Sequence, residues 1–135
     1  MNHPLFSRRM LATLASAAGL AQAAFAATQA DLLSAYGAQP GAAPQPARGQ
    51  QFFNVIHGRE WSCASCHGTI PVQAGRHAGT GKPTAAMAPA FNPERFTDAA
   101  KTEKWFRRNC NDVVGRECTA AEKADVLSWL LTLKP

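Results

Sequence analysis

Apolar residues recur at helical spacing near both ends of the chain and thin out in its middle. Residues 30–36 favour a short helix, and the apolar side chains of RGQQFFNVIH (48–57) suit an amphipathic helix. The Pro/Gly-rich stretch 39–47 separates the two. Gly, Pro and small side chains dominate residues 58–93, so this segment has too few large apolar residues for a core of its own. We predict that it wraps around something else.

Two further helices are predicted from their capping residues. Thr97-Asp98 provides an N-cap for a helix through AAKTEKWFRRN, which Gly115 ends or follows. Thr119 and Glu122 have the spacing of a capping box, in which each side chain bonds to a backbone N–H of the other residue. The box opens a last helix with a continuous apolar face. That face comprises Val126, Leu127, Leu130, Leu131 and Leu133. The pattern predicts an all-α domain with helices at both ends and an irregular middle.

The N-terminal residues have the features of an export signal. A basic head, Arg8 and Arg9, precedes the apolar run 10–20, and small-x-small cleavage patterns follow. The run is shorter than the ~20 apolar residues that a membrane span needs. We predict a cleaved signal peptide over residues 1–26 and one periplasmic domain over residues 27–135, without a membrane span.

The charge of the chain argues against nucleic-acid binding. Removal of residues 1–26 takes away Arg8 and Arg9 and no acidic residue, so the formal net charge falls from +5 to +3. The chain also lacks the basic stripes interleaved with aromatic residues that nucleic-acid-binding surfaces carry. A nucleic-acid partner is therefore not expected.

The chemistry of the chain is concentrated in the motif CASCH. Cys63 and Cys66 can each add to one vinyl group of a haem, and His67 then meets the iron from one face. A dithiol redox pair is disfavoured because no βαβ pattern surrounds the motif. A zinc site completed by Cys110 and Cys118 is disfavoured by the spacing of those two cysteines. The motif therefore predicts one covalently bound haem c, which the irregular middle encloses.

The residue on the other side of the iron decides what the haem can do. Met87, the one methionine after residue 26, offers a thioether sulfur, which favours ferrous iron in electron carriers. His57 and His77 are further options, although exposed loop histidines are usually solvated. Asn109 and Asn111 complete the set of possible ligands.

Helical spacing separates the two asparagines. Asn109 shares a side of its helix with Trp105 and Phe106, which is expected to be the apolar side. An unpaired amide there costs ~1–3 kcal/mol, so either iron or a backbone hydrogen bond is expected to satisfy it. Asn111 points roughly 200° away, and both asparagines cannot serve. These considerations leave Asn109, Asn111 and Met87 open as the distal ligand.

The chain resembles class I cytochromes c. The residues that carry this likeness are Gly49 and Phe52 on the first helix, the C-x-x-C-H motif, and Trp129 on the last helix. Residues 87–118, MAPAFNPERFTDAAKTEKWFRRNCNDVVGREC, and the following TAAEKADVLSWLLTLK look like the sphaeroides haem protein group, the high-spin, oxygen-binding members of that family. The resemblance implies an all-α class I cytochrome c fold, with crossed N- and C-terminal helices around a covalently bound haem.

The resemblance also implies roles for particular residues. His67 becomes the proximal iron ligand, Asn109 the distal ligand of ferric iron, and Cys110–Cys118 a disulfide. The asparagine leaves on reduction, so that ferrous iron can take up O2, NO or a similar small ligand. In that case Met87 is not a ligand.

The resemblance further implies a redox partner, a dihaem cytochrome c that donates electrons. The basic residues Lys101, Lys104, Arg107 and Arg108 could steer an acidic partner, or simply form a solvated helix face. The alternative function is a plain electron carrier with His67 and Met87 as iron ligands. An oxidase or nitric-oxide-handling activity would rest on the open coordination site alone, because no acid/base set accompanies it.

Overall fold

The computed structural model describes residues 28–135, so the predicted signal peptide over residues 1–26 lies outside the described residues. The prediction of an all-α fold is confirmed, with one short antiparallel ribbon in addition. The elements are α1 (Gln29–Gly37), α2 (Pro46–Asn54), α3 (Ala64–His67), β1 (Gly75–Arg76), β2 (Pro83–Thr84), α4 (Ala99–Val113) and α5 (Ala120–Thr132). In the ribbon Gly75 is opposite Thr84. None of the helices in this part of the chain is long and apolar enough to cross a lipid bilayer.

The boundaries predicted for the helix over residues 48–57 are wrong at both ends. The helix begins at Pro46, whose fixed φ suits the first turn, and it ends at Asn54. Val55 is extended, with φ −81° and ψ 148°. Val55 and Ile56 are therefore exposed, by 47% and 59%, and do not extend the apolar face of α2.

The predicted caps of the last two helices are confirmed. Asp98 accepts a hydrogen bond from the backbone N–H of Lys101 at 2.9 Å, and α4 continues about one turn beyond the predicted end. Gly115 then turns the chain with φ +81°, a conformation that glycine adopts without steric cost. At the start of α5, the hydroxyl of Thr119 accepts from the N–H of Glu122, while the Glu122 carboxylate accepts from the N–H of Thr119.

Helix α2 crosses α5 at Gly49. A Cβ at this position would overlap the carbonyl oxygen of Asp125, so only glycine permits so close an approach. Beside the crossing, Phe53 is fully buried and its ring centroid lies 5.1 Å from that of Trp129. The crossed helices expected from Gly49 and Trp129 are therefore present. The main aromatic contact is made by Phe53 and not by Phe52, which packs at the edge of the cluster.

A buried carboxylate locks the same crossing. Asp125 is 2% exposed within the apolar part of α5. Its carboxylate accepts hydrogen bonds from the backbone N–H of Gln45, at 2.8 Å, and from the Arg48 guanidinium, at 2.9 Å from Nη2. Gln45 is the N-cap of α2, so the negative charge also meets the positive end of that helix. This ion pair therefore fixes the N-terminal end of α2 against α5.

The core consists of two apolar clusters that meet at Phe96. One cluster centres on Leu32 and Leu127, and the other on Phe53 and Leu130; Phe96 packs against both. Phe96 has φ +61°, a left-handed conformation that a bulky residue rarely adopts. Its packing in two clusters offsets that backbone strain and fixes the chain just before α4.

We expect Gly49→Ala to destabilise the protein by about 1–3 kcal/mol, because the added methyl forces α2 away from α5. Urea unfolding followed by circular dichroism measures the change. The control is Gln50→Ala, which alters an exposed side chain on the same helix and should leave the unfolding free energy almost unchanged. Equal stability of the two variants would contradict the close contact at Gly49.

Candidate haem site

Helix α3 places two free thiols about one turn apart. Cys63 is its N-cap and Cys66 lies within it, and the cysteines are not paired with each other. The turn is stabilised on its N-terminal side, where the hydroxyl of Ser65 accepts a hydrogen bond from the N–H of Ser62 at 3.0 Å. It ends at Gly68, which has φ +79°. Cys63 packs against the core cluster that the crossing of α2 and α5 creates.

The environment of Cys63 does not suit a redox dithiol. Burial raises the pKa of this thiol to about 11, so it stays protonated at neutral pH. Redox-active cysteines in C-x-x-C motifs have lowered pKa values instead, because the thiolate is the reacting species. The structure therefore adds a reason to reject the dithiol interpretation of the motif.

His67 is held as a neutral imidazole at the end of α3. Burial, and then the positive charges of Arg95 and His77, lower its pKa to about 4. Its ring centroid lies 6.3 Å from that of Phe53, at the edge of the buried cluster. Neutral imidazole is the form that binds a metal ion, so His67 can act as a ligand at neutral pH.

The ribbon β1–β2 packs directly on the motif. The N–H of Ala78 lies 3.1 Å from the Cys66 sulfur, and the hydroxyl of Thr84 donates to the Cys66 carbonyl at 3.4 Å. A Cβ on Gly75 would overlap that same carbonyl oxygen. The ribbon is thus fitted closely to the backbone of α3.

The two other histidines considered as ligands have local partners. His57 Nε2 lies 2.8 Å from the carbonyl oxygen of Phe52, and the two rings are tilted by 47° with centroids 4.3 Å apart. His77 Nδ1 accepts hydrogen bonds from the N–H groups of Gly79 and Thr80, both at 3.2 Å. Nδ1 of His77 is thereby occupied, whereas the contact of His57 Nε2 leaves the Nδ1 of that ring without a hydrogen bond among residues 28–135.

Met87 lies in a loop that is anchored at several points. Its N–H donates to the carbonyl of Pro71 at 3.0 Å, and its side chain packs in the cluster that includes Cys63. Arg95 donates from Nε to the Ala86 carbonyl at 3.0 Å, immediately before Met87. Met87 therefore behaves as an apolar side chain packed beside the motif.

The structure distinguishes the two asparagines of α4. Asn111 is exposed, and its amide donates to the Arg107 carbonyl one turn earlier, at 2.8 Å. Asn109 is half-buried, and its side chain makes no hydrogen bond to any of residues 28–135. Phe106 beside it packs into the core, as predicted. Trp105, predicted on the same side of α4, is 43% exposed to solvent.

Residues 39–130 match a protein family described as "Domain of unknown function (DUF1924)". The chain is 46% identical over 105 residues to cytochrome c-type protein SHP of Cereibacter sphaeroides, covering 75% of this chain and 81% of that protein. It is 42% identical over 94 residues to cytochrome c'' of Methylophilus methylotrophus, covering 67% and 65% of the two chains.

Solved structures agree with these relationships. The structure described as oxidized SHP, an oxygen binding cytochrome c, superposes with a TM-score of 0.73 at 42% identity, over 79% of this chain and 98% of that one. Oxidized cytochrome c'' gives a TM-score of 0.69 at 37% identity, over 79% and 95%. The chain belongs to the sphaeroides haem protein group of the cytochromes c. Its cofactor is covalently bound haem c.

The residues of this cytochrome fit a haem. The free thiols of Cys63 and Cys66 and the neutral imidazole of His67 lie within the single turn of α3. The amide of Asn109 has no hydrogen-bond partner among residues 28–135. Trp105, one helical turn before Asn109 on α4, is only partly packed by protein and is 43% exposed. A macrocycle with broad apolar faces suits such an arrangement better than a conventional core does.

The cytochrome holds α4 with a disulfide beside Asn109. Cys110 and Cys118 are bonded to each other, with Cα atoms 5.7 Å apart, and both are buried. The bond joins the last turn of α4 to the residue before Thr119, the N-cap of α5. The disulfide implied by the family resemblance is thus present, and neither cysteine is free for a zinc site.

A second anchor, which sequence analysis missed, ties α4 to α1 and α5. The Tyr36 hydroxyl donates to Glu103 Oε1 at 2.6 Å, and Lys123 Nζ donates to Oε2 at 2.7 Å. Lys123 also lies over the rings of Tyr36 and Phe106, at 5.6 and 5.8 Å from their centroids. No sequence pattern pairs residues so far apart. The one available signal was that Tyr36 and Lys123 fall on helices that must share a core.

This anchor should weaken in acid. Burial raises the pKa of Glu103, but hydrogen bonds from Lys123 and Tyr36 outweigh it, and the net pKa lies below the ordinary 4.5. The carboxylate therefore contributes stability above pH 4.5, and this contribution is lost as pH falls through the lowered pKa. We expect Glu103→Gln to cost about 0.5–1 kcal/mol at neutral pH, a figure reduced for solvent screening, and almost nothing in strong acid.

Urea unfolding of both proteins at neutral and acidic pH measures this difference. Glu117→Gln is the matched control, since Glu117 is 69% exposed and lies 3.6 Å from Arg107. It should change stability little at either pH. If Glu103→Gln lowered the free energy of unfolding by the same amount at both pH values, the assigned ion pair would be contradicted.

Proposed function

We propose that this cytochrome is a periplasmic haem protein that binds O2, NO or a similar small ligand when its iron is ferrous. Haem c supplies an iron that cycles between ferric and ferrous states and can coordinate a diatomic gas. Cys63 and Cys66 would hold the haem through thioether bonds, and His67 would bind the iron from the proximal side. Asn109 would bind ferric iron from the distal side.

The observation that carries this proposal is the half-buried amide of Asn109, which has no hydrogen-bond partner among residues 28–135. An amide oxygen is a hard, neutral and weak donor, which tolerates ferric iron and holds ferrous iron poorly. Asn109 would therefore release the iron on reduction and leave one coordination position free. Asn111 is a poorer choice because its amide is already bonded to the helix backbone.

The descriptions of two related structures support a distal ligand that detaches from the haem. The related SHP structure is described as an oxygen binding cytochrome c. A solution structure of cytochrome c'', with 37% identity and a TM-score of 0.67, is described as giving insights into the structural basis of haem-ligand detachment. Oxygen binding in one relative and haem-ligand detachment in the other both agree with the chemistry proposed for Asn109.

The alternative is a plain electron carrier in which Met87 binds the iron opposite His67. It is favoured by one observation, that Met87 and Cys63 pack against the same apolar cluster. The close packing of that methionine, however, gives its side chain an apolar environment without any need for the iron. We therefore place the ligand-binding function first.

Export and a redox partner complete the proposal. The predicted signal peptide over residues 1–26 and the disulfide Cys110–Cys118 both suit an oxidising compartment such as the periplasm.

Lys101 and Lys104 are exposed on α4 and form no ion pair within residues 28–135. This charge supports electron uptake from an acidic partner, for which we propose a dihaem cytochrome c.

Substitution of the asparagines separates the possible ligands. We expect Asn109→Ala to change the ferric absorption and resonance Raman spectra, because it removes the distal ligand. Asn111→Ala and Met87→Leu should leave both spectra unchanged. A thioether–iron absorption band that disappears in Met87→Leu would show that the protein is instead a His/Met electron carrier.

The ferrous state gives an independent test. We expect the reduced protein to bind carbon monoxide readily, and Asn109→Ala to bind it at the same rate, because the asparagine has already left the iron. Stopped-flow mixing of the dithionite-reduced protein with carbon monoxide measures the rate. Slow binding that Met87→Leu accelerates would instead indicate that Met87 occupies the site.

A further inference from the structure

Helix α4 is attached to the rest of the molecule mainly through its side chains. Within residues 28–135, α2 and α5 have their backbones in contact and α1 packs along α5, whereas no other helix packs along α4 in this way. One attachment of α4 is the disulfide at Cys110. Another is the Glu103 network, in which the carboxylate of Glu103 accepts hydrogen bonds from Tyr36 and Lys123. Because the attachments are few, each one strongly determines where α4 lies.

The Glu103 network also holds Phe106, the aromatic residue closest in sequence to Asn109 on the buried side of α4. The ring of Tyr36 packs edge-on against that of Phe106 with centroids 5.9 Å apart, and Lys123 Nζ lies 5.8 Å from the Phe106 centroid. Phe106 is three residues after Glu103 and three before Asn109, so the three side chains lie on successive turns. The network therefore holds the two turns of α4 that precede the proposed iron ligand.

An amide that coordinates iron tolerates little movement of the helix that carries it. A binding group has to be held within about 0.5 Å and roughly 10–20° of its productive geometry. The side chain of Asn109 is short and cannot compensate for a larger change in α4. The disulfide at Cys110 fixes the position of the helix at one point, and the Glu103 network supplies a second point two turns earlier. The second point fixes the direction of the helix axis and hence the direction of the amide.

We propose that Tyr36, Glu103 and Lys123 are positioning residues for the distal ligand, because they hold α4 in the orientation that lets the Asn109 amide reach ferric iron. The inference rests on the proposed function, since it requires Asn109 to be that ligand. A ligand that binds only the ferric state stabilises that state, and it has to leave before an external ligand can bind. The Glu103 network therefore lowers the reduction potential and slows the binding of external ligands to ferric iron.

A purely electrostatic influence of the network is the alternative, and it predicts a different pattern. If only charge matters, loss of the Glu103 carboxylate raises the reduction potential and loss of the Lys123 cation lowers it. If the orientation of α4 matters, both losses raise the potential, because both loosen the helix. Tyr36→Phe separates the two influences most directly, since it removes one hydrogen bond, changes no charge and keeps the ring that packs on Phe106.

The experiment compares Tyr36→Phe, Glu103→Gln and Lys123→Met as purified holoproteins at neutral pH. Glu117→Gln is the matched control, because it removes a carboxylate that is 69% exposed and lies 3.6 Å from an arginine of α4. Haem content and circular dichroism are measured first, so that a failure of haem attachment or folding is detected separately. Redox titration then gives the reduction potential, and stopped-flow mixing of the ferric protein with cyanide gives the association rate. In folded protein, a loss of stability alone changes neither value.

We expect all three network variants to have a raised reduction potential and to bind cyanide faster. The increase in rate should be roughly 2- to 10-fold for Tyr36→Phe, the range that the loss of one hydrogen bond allows. Glu117→Gln should change neither value. An unchanged cyanide rate in Tyr36→Phe, or potentials that shift in opposite directions in Glu103→Gln and Lys123→Met, would overturn the proposal. If the charge variants yield no holoprotein, Tyr36→Phe decides the question.

A double substitution tests whether the network acts through Asn109. In the Asn109→Ala background, Tyr36→Phe should no longer change the cyanide rate, because the ligand that the network positions is absent. A persisting effect would overturn the proposal. The ferric spectrum of Asn109→Ala alone tests the proposed function and stays unchanged if that function is wrong. If only the present inference is wrong, that spectrum changes while Tyr36→Phe binds cyanide at the wild-type rate.

Discussion

The contact between α2 and α5 at Gly49 is the constraint on which the rest of the molecule depends. Because no Cβ lies between the helices, their backbones touch, and Phe53 and Trp129 are brought together beside the crossing. The cluster that results is the surface against which Cys63 and Met87 pack. The thiol that starts the C-x-x-C-H turn is thereby positioned by two helices that contain none of the proposed iron ligands.

Helix α4 is fixed by different interactions from those that hold α3. The Tyr36–Glu103–Lys123 network ties its first half to α1 and α5, and the disulfide at Cys110 ties its last turn to the start of α5. Neither anchor uses the side chain of Asn109. The proposed exchange of its amide at the iron therefore requires no movement of the helix backbone.

Much of this fold could be predicted from local sequence signals. The caps at Asp98 and Thr119 have a short-range physical cause, and each predicted its helix correctly, whereas the crossing at Gly49 was implied by the resemblance to class I cytochromes c. The end of α2 could not be predicted this way, because Val55 and Ile56 continue an apolar pattern after the helix has stopped. The spacing of apolar residues alone does not indicate the residue at which a helix ends.

The contacts that sequence reasoning missed are those between residues distant along the chain. The partner of Arg48 is Asp125, and the carbonyls bound by Arg95 lie in a loop that no periodic pattern describes. A charged residue within an apolar helix face, such as Asp125 between Ala124 and Val126, does signal a buried partner, but it does not identify that partner.

The distribution of satisfied and unsatisfied polar groups carries the strongest argument about function. Asp125 and Glu103 are each paired with a cation, and Asn111 is bonded to its own helix. Against that background, the half-buried amide of Asn109 has no hydrogen-bond partner within residues 28–135, and neither has the buried Oδ1 of Asn54 on α2. The partner proposed for Asn109 is the ferric iron of the haem, which suits a hard, neutral amide oxygen.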